Sequence, residues 1–225
     1  MALLVGALTF VISQLVIRVP ILDLLSATTP YQNIMAVPFV YLFFLSATAG
    51  IFEEIGRFVG FRYFLRDKLS WRDGVAFGIG HGGIEAFLLV GLTYVNNLVY
   101  SFLINAGTYM DTVGSEIPLE AAQMIRDQLV NLPASTFAAA GIERLFTIPL
   151  HIALSLLVLL SLVEGKPAYI LWAILAHAGA NLGAAGLASM GISIWFSEAF
   201  LGVVAIVAVW FIFASEPRFP EPDQF

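Results

Sequence analysis

Ten side chains of this 225-residue sequence could do chemistry together. They fall into four groups: Glu53, Glu54 and Arg57; His81 and Glu85; Glu143, Arg144 and His151; and His177 with Asn181. All three histidines of the chain are among them. Carboxylate with imidazole is the equipment of general acid–base catalysis. Imidazole and carboxamide groups can stabilise an oxyanion. The set therefore suits attack of an activated water on a carbonyl. It also suits zinc, which takes histidine and glutamate ligands; His81, His151, His177, Glu54 and Glu85 are the candidates. The chain has no cysteine, which excludes disulfides, thiolate metal sites and a cysteine nucleophile.

Helical spacing puts these groups on stripes. Glu53 and Arg57 are four apart, Glu54 and Arg57 three apart, and either glutamate can pair with the arginine. His81 with Glu85, and His177 with Asn181, are also four apart. Arg144 and His151 are seven apart, again on one face. Glu143 and Arg144 are adjacent and diverge by about 100°, so they should pair with different groups across a cavity. Counted along their helices, the groups of four helices reach one layer, in the half of the bundle nearest the basic link described below.

The elements that position them are membrane spans. Sixty per cent of residues are hydrophobic and 12% charged, against about half and a quarter in soluble domains. That excess cannot be hidden in a soluble core, and it excludes disorder. A net charge of −6 argues against a nucleic-acid partner. A bilayer core requires about 20 apolar residues per helix. Six spans are expected, near Ala2–Ile17, Met35–Phe64, Gly74–Ile104, Ser135–Val163, Ala168–Met190 and Ile192–Ala214, or five if the first is interfacial. They form a single all-helical domain over residues 1–214. The link Asn105–Pro133 contains Pro118 followed by Ala121, Met124, Ile125 and Leu129 at near-helical spacing. It reads as an amphipathic helix on the membrane surface or capping the bundle. The tail 215–225 is expected to be disordered.

Arg62, Arg66, Lys68 and Arg72 cluster between the second and third spans, which marks that link as cytoplasmic. Both termini then fall in the cytoplasm, with Arg18 and Arg126 as the exceptions among loop cations. Glu198 should meet water near an outer helix end. Asn96, Asn97 and Asn105 should form interhelical hydrogen bonds. Gly78, Gly80, Gly82 and Gly83 around His81 favour close helix packing. Trp71, Trp172, Trp195 and Trp210 read as interface anchors. Charges inside spans are expensive and functional by default, so the ten residues are the candidate site.

The stretches AGIFEEIGRFVGFRYFL, FGIGHGGIEA, ERLFTIPLH and HAGAN resemble the YhfC-type intramembrane peptidases. These are similar to the CAAX prenyl endopeptidases and bacteriocin-processing enzymes, marked by a glutamate pair with arginine, then FxxxH, then HxxxN. Here those are Glu53-Glu54 with Arg57, Phe77 to His81, and His177 to Asn181. The arginine stands one position early, as EExxR rather than EExxxR. The resemblance implies peptide hydrolysis in or at the edge of the membrane. Glu53 with His81 would activate water, and Glu54 and Arg57 would orient that pair. His177 and Asn181 would stabilise the oxyanion, with His151 and Glu85 as supporting groups or extra ligands. A glutamate-type endopeptidase needs no cofactor, and a zinc-dependent one is the alternative. The substrate would be a peptide or membrane protein in the plasma membrane of a prokaryote. A proton-coupled transporter is a different class, against which the chain shows no inverted repeat. A non-catalytic scaffold, in which the polar groups only tie helices, is another.

Overall fold

The computed structural model describes residues 1–220, and these are helical with no strands. Six helices are long and apolar enough to cross a membrane: α1 (Ala2–Ser26), α3 (Pro38–Phe64), α4 (Trp71–Ala106), α7 (Ala134–Val163), α8 (Ala168–Ser189) and α9 (Ile194–Arg218). Shorter helices α2 (Thr29–Met35), α5 (Tyr109–Thr112) and α6 (Leu119–Asn131) lie in the links. The protein is a polytopic transmembrane helical bundle.

The chain starts its helices where local chemistry allows. Proline stands in the first turn of α2 and α3, where its missing N–H would be unpaired anyway. The Ser70 hydroxyl accepts the Asp73 N–H at the start of α4, satisfying one orphan donor of the first turn. Gly107 ends α4 at φ +74°, a left-handed conformation that glycine adopts at little cost.

Helix α7 is the centre. Over its most apolar stretch 56% of residues are buried, against at most 33% for any other span. It packs against α4, α9 and α8; α4 packs against α1, and α3 against α8. Glycines bring backbones into contact at two of these crossings. A Cβ on Gly80 would run into the Leu3 carbonyl oxygen of α1, and one on Gly78 into Ile152 Cα of α7. Gly82 lies against the His151 ring, whereas Gly83 faces open space. The close-packing expectation therefore holds for the first three.

Several sequence expectations change. Helix α1 does not stop before Arg18 but continues to Ser26 through a π-helical stretch at Val11–Arg18. The widened turns accommodate Pro20, which cannot donate to the turn before it. Arg18 is thereby a span residue rather than a loop cation. The chain from Ser215 is helical to Arg218 rather than disordered, because Arg218 and Tyr169 both bond Glu164. Residues 221–225 of that expected tail lie outside the described residues. Met124 of α6 is 62% exposed, while Ala122 is buried and accepts the Tyr109 hydroxyl. Asn96 and Asn97 form no side-chain hydrogen bonds among the described residues and line a groove beside α6. Trp71 is more than an anchor, since its indole N–H donates to the Ile212 carbonyl of α9 at 2.8 Å.

Candidate active site

Each histidine meets a glutamate of another helix. His81 Nε2 of α4 is 2.9 Å from Glu53 Oε2 of α3. His151 Nε2 of α7 is 2.8 Å from Glu85 Oε2 of α4. His177 Nδ1 of α8 donates to Glu54 Oε1 of α3 at 2.7 Å. The three rings form a row, with centroids 5.3 Å apart between His81 and His151 and 5.5 Å between His151 and His177. All six side chains sit in one layer, and the expectation of a shared polar site holds in that geometry.

Arg57 links the pairs. Its guanidinium lies 3.0 Å from Glu54 and 3.5 Å from Glu53, so the early arginine serves both glutamates. It also donates to the His151 carbonyl at 3.1 Å and the Ser155 hydroxyl at 2.7 Å, and its Nη2 is 2.7 Å from His151 Nδ1. A guanidinium only donates, so Nδ1 accepts and the neutral ring keeps its proton on Nε2, facing Glu85. Glu54, Arg57 and His81 are fully buried. Paired and multiply bonded charges are the only kind a membrane interior tolerates cheaply.

The sequence set divides differently from its expected metal grouping. One donor atom from each of Glu53, His81, Glu85 and His151 lies within 4.8 Å of the others. Glu54 and His177, expected among the ligands, form their own pair beside this cluster. The reason is the 100° step between Glu53 and Glu54, which aims one carboxylate at α4 and the other at α8.

A cavity of about 440 Å³ adjoins the layer. Its wall includes Glu85, His151, His177 and Asn181, with Glu143, Arg144, Arg18 and Glu198 further out. From the layer it extends along the first halves of α3, α7 and α9 and the second half of α8, toward the side of the bundle that carries the long α4–α7 link. Arg144 donates to Glu85 Oε1 at 2.9 Å and also binds Glu143. The adjacent pair was expected to diverge; instead the long arginine bends back to its neighbour. Asn181 lines the cavity without a hydrogen bond among the described residues.

Three residues escaped sequence reasoning. Gln14 of α1 donates to Glu53 Oε1 at 2.5 Å, and Arg18 donates to Gln14 Oε1 at 2.9 Å. Both are polar exceptions within an apolar span, four apart, and that spacing was the available signal. Glu198, expected to meet water, is 4% exposed and lines the cavity.

The family described as YhfC intramembrane metalloprotease matches residues 1–209. The chain belongs to that family. It is also 38% identical, over 79% of its length and 69% of the relative's, to a Bacillus subtilis (strain 168) protein described as uncharacterized membrane protein YhfC. No solved structure matches. Membership of the YhfC family makes the chain an integral membrane protein of an intramembrane protease family, with the polar layer as its candidate site.

Proposed function

We propose that this YhfC-family chain hydrolyses peptide bonds of membrane-associated substrates in a metal-dependent reaction, at the layer where Glu53, His81, Glu85 and His151 meet. The supporting observation is their four donor atoms within 4.8 Å of one another, with Glu53, His81 and His151 buried and Glu85 and His151 reaching the wall of the cavity. Donors about 2.0–2.2 Å from a tetrahedral zinc lie about 3.3–3.6 Å apart, so the set fits after a contraction of about 1.2–1.5 Å at its widest.

His81, His151 and Glu53 would hold the metal, which when bound acidifies water and polarises a carbonyl. Glu85 faces the cavity, with a side chain 13% exposed against 5% for Glu53. Held at Oε1 by Arg144, it takes the proton of the attacking water and returns it to the leaving amine. His177, anchored through Nδ1 by Glu54, presents Nε2 toward the site. With Asn181 one turn on, it supplies hydrogen bonds to the carbonyl oxygen as negative charge grows there. The basic link at Arg62–Arg72 supports an orientation with the other face of the bundle outside the cytoplasm. Substrate then reaches the cavity from the extracytoplasmic half.

One contact favours a metal-free form of the same hydrolysis. Arg57 donates to His151 Nδ1, which leaves a proton on Nε2, and a protonated nitrogen cannot bind metal. In that form Glu53, bonded to His81, activates the water.

The test uses full-length protein in proteoliposomes with a library of synthetic transmembrane peptides, cleavage read by mass spectrometry and zinc by elemental analysis. Cleavage should fall with zinc content on chelation and return with zinc. Glu53→Gln and His81→Ala should lose both, and Glu85→Gln should lose cleavage while retaining zinc. Cleavage by demonstrably metal-free protein selects the metal-free form. Equal cleavage by wild type and all three variants overturns the site.

A further inference from the structure

Glu198 is the least accommodated charge in the bundle. It lies one turn into α9, 4% exposed, and its Oε2 is buried with no hydrogen-bond partner. No ion pair to it forms among the described residues. Burying an unpartnered carboxylate is costly in any apolar medium, and only the cavity it lines can supply the partner. The cations on its side of the molecule are engaged. Arg144 binds Glu85 and Glu143, and Arg18 across the cavity is held by Gln14, Thr48 and the Leu45 carbonyl. The backbone around Glu198 is fixed, since Ser197 donates to the Ala184 carbonyl of α8 at 3.1 Å. The carboxylate lines the cavity that also holds Glu85, His177 and Asn181.

We propose that Glu198, with Glu143 beside it on the cavity wall, is a substrate subsite that takes a basic side chain of the peptide, lysine or arginine. Its place in the catalytic cavity rests on the protease reading above; its affinity for a cation does not. The ammonium or guanidinium group supplies the charge and the hydrogen-bond donors that the buried oxygen lacks. The basic residue is engaged in the half of the membrane away from the basic link. Lysine and arginine are scarce on the extracytoplasmic side of membrane proteins, so the subsite would select a small fraction of available segments.

The experiment compares full-length wild type, Glu198→Gln and Glu198→Lys. The probes are transmembrane peptides differing at one outer-end position as lysine, norleucine or glutamate. Binding is measured in detergent and cleavage in proteoliposomes. Wild type should bind the lysine peptide about tenfold or more tighter than the norleucine peptide. Glu198→Gln should bring that ratio near one, and Glu198→Lys should shift preference to the glutamate peptide. Because glutamine is isosteric and neutral, Glu198→Gln should melt no lower than wild type, so loss of the ratio is not loss of fold. An unchanged ratio in Glu198→Gln overturns the subsite. Loss of the ratio without cleavage of any peptide by wild type leaves the subsite standing and overturns the protease reading.

Discussion

The inner layer and the outer cavity wall use the same residue types in opposite ways. In the layer, Glu53, Glu54, Arg57, His81 and His177 are almost wholly buried, and each meets at least one charged or titratable partner from the set. Glu85 joins the two, bonded to His151 in the layer and partly open at the cavity, while on the wall Asn181 has no side-chain partner and Glu198 is buried with none. A paired buried charge is fixed in place by the protein, while an unpaired one is poised for something that is not the protein. The layer is therefore the part whose geometry stability depends on, and the wall is the part that substrate completes.

Removing Arg57 should test that contrast most severely. Arg57→Ala leaves Glu53 and Glu54 facing each other without their shared cation and strips His151 of its donor. Breaking a buried pair costs about 3–5 kcal/mol, a large share of the stability of most domains. The variant should be recovered poorly and melt far below wild type. A near-normal melting temperature would show that the layer does not depend on its central cation.

Where the layer meets the wall, Glu85→Gln should act mainly on turnover. Glutamine preserves the shape and its oxygen still accepts from Arg144, while its amide faces the Nε2–H of His151, so melting should fall by much less than in Arg57→Ala. The proton acceptor is lost, and kcat should fall about 10²–10⁴-fold. A drop in melting temperature as large as that of Arg57→Ala would make Glu85 a structural member of the layer. Asn181→Ala should be milder still, lowering kcat about 10²-fold. KM should hold, because a bond made only to the developing oxyanion does not contribute to ground-state binding. A rise in KM with unchanged kcat would instead make Asn181 a substrate contact.

The contrast also explains what the sequence disclosed. Charges in apolar spans are rare enough to stand out, so Glu53, His81, His151 and His177 were visible by composition, and helical spacing put Glu85 beside His81. Partners were less visible, because pairing depends on helix rotation. The step from Glu53 to Glu54 sends one to α4 and the other to α8, and no single sequence states which helix stands there. Arg18 was hidden by Pro20, which reads as a helix stop unless the π-helical turns before it are known. Glu198 was hidden by its nearness to the start of α9. Distance from a helix end does not show whether the side chain faces lipid, water or a cavity.

The same chemistry in water gives the smallest effect and sets the scale for the others. Glu164, between α7 and α8, is bonded by Lys166, Arg218 and Tyr169. These hydrogen bonds hold its carboxyl well down, at about 2, from an ordinary 4.5. A folded-state value below the unfolded one contributes stability that is complete above about 4.5 and disappears as pH falls toward 2. The difference in melting temperature between wild type and Glu164→Gln should therefore be constant from pH 7 to 5 and shrink below pH 4.5. It should be small throughout, since exposed ion pairs contribute little, and should weaken in salt. An effect at neutral pH as large as that of Arg57→Ala would break the comparison. It would mean that burial is not what separates the layer from charges that merely meet at the surface.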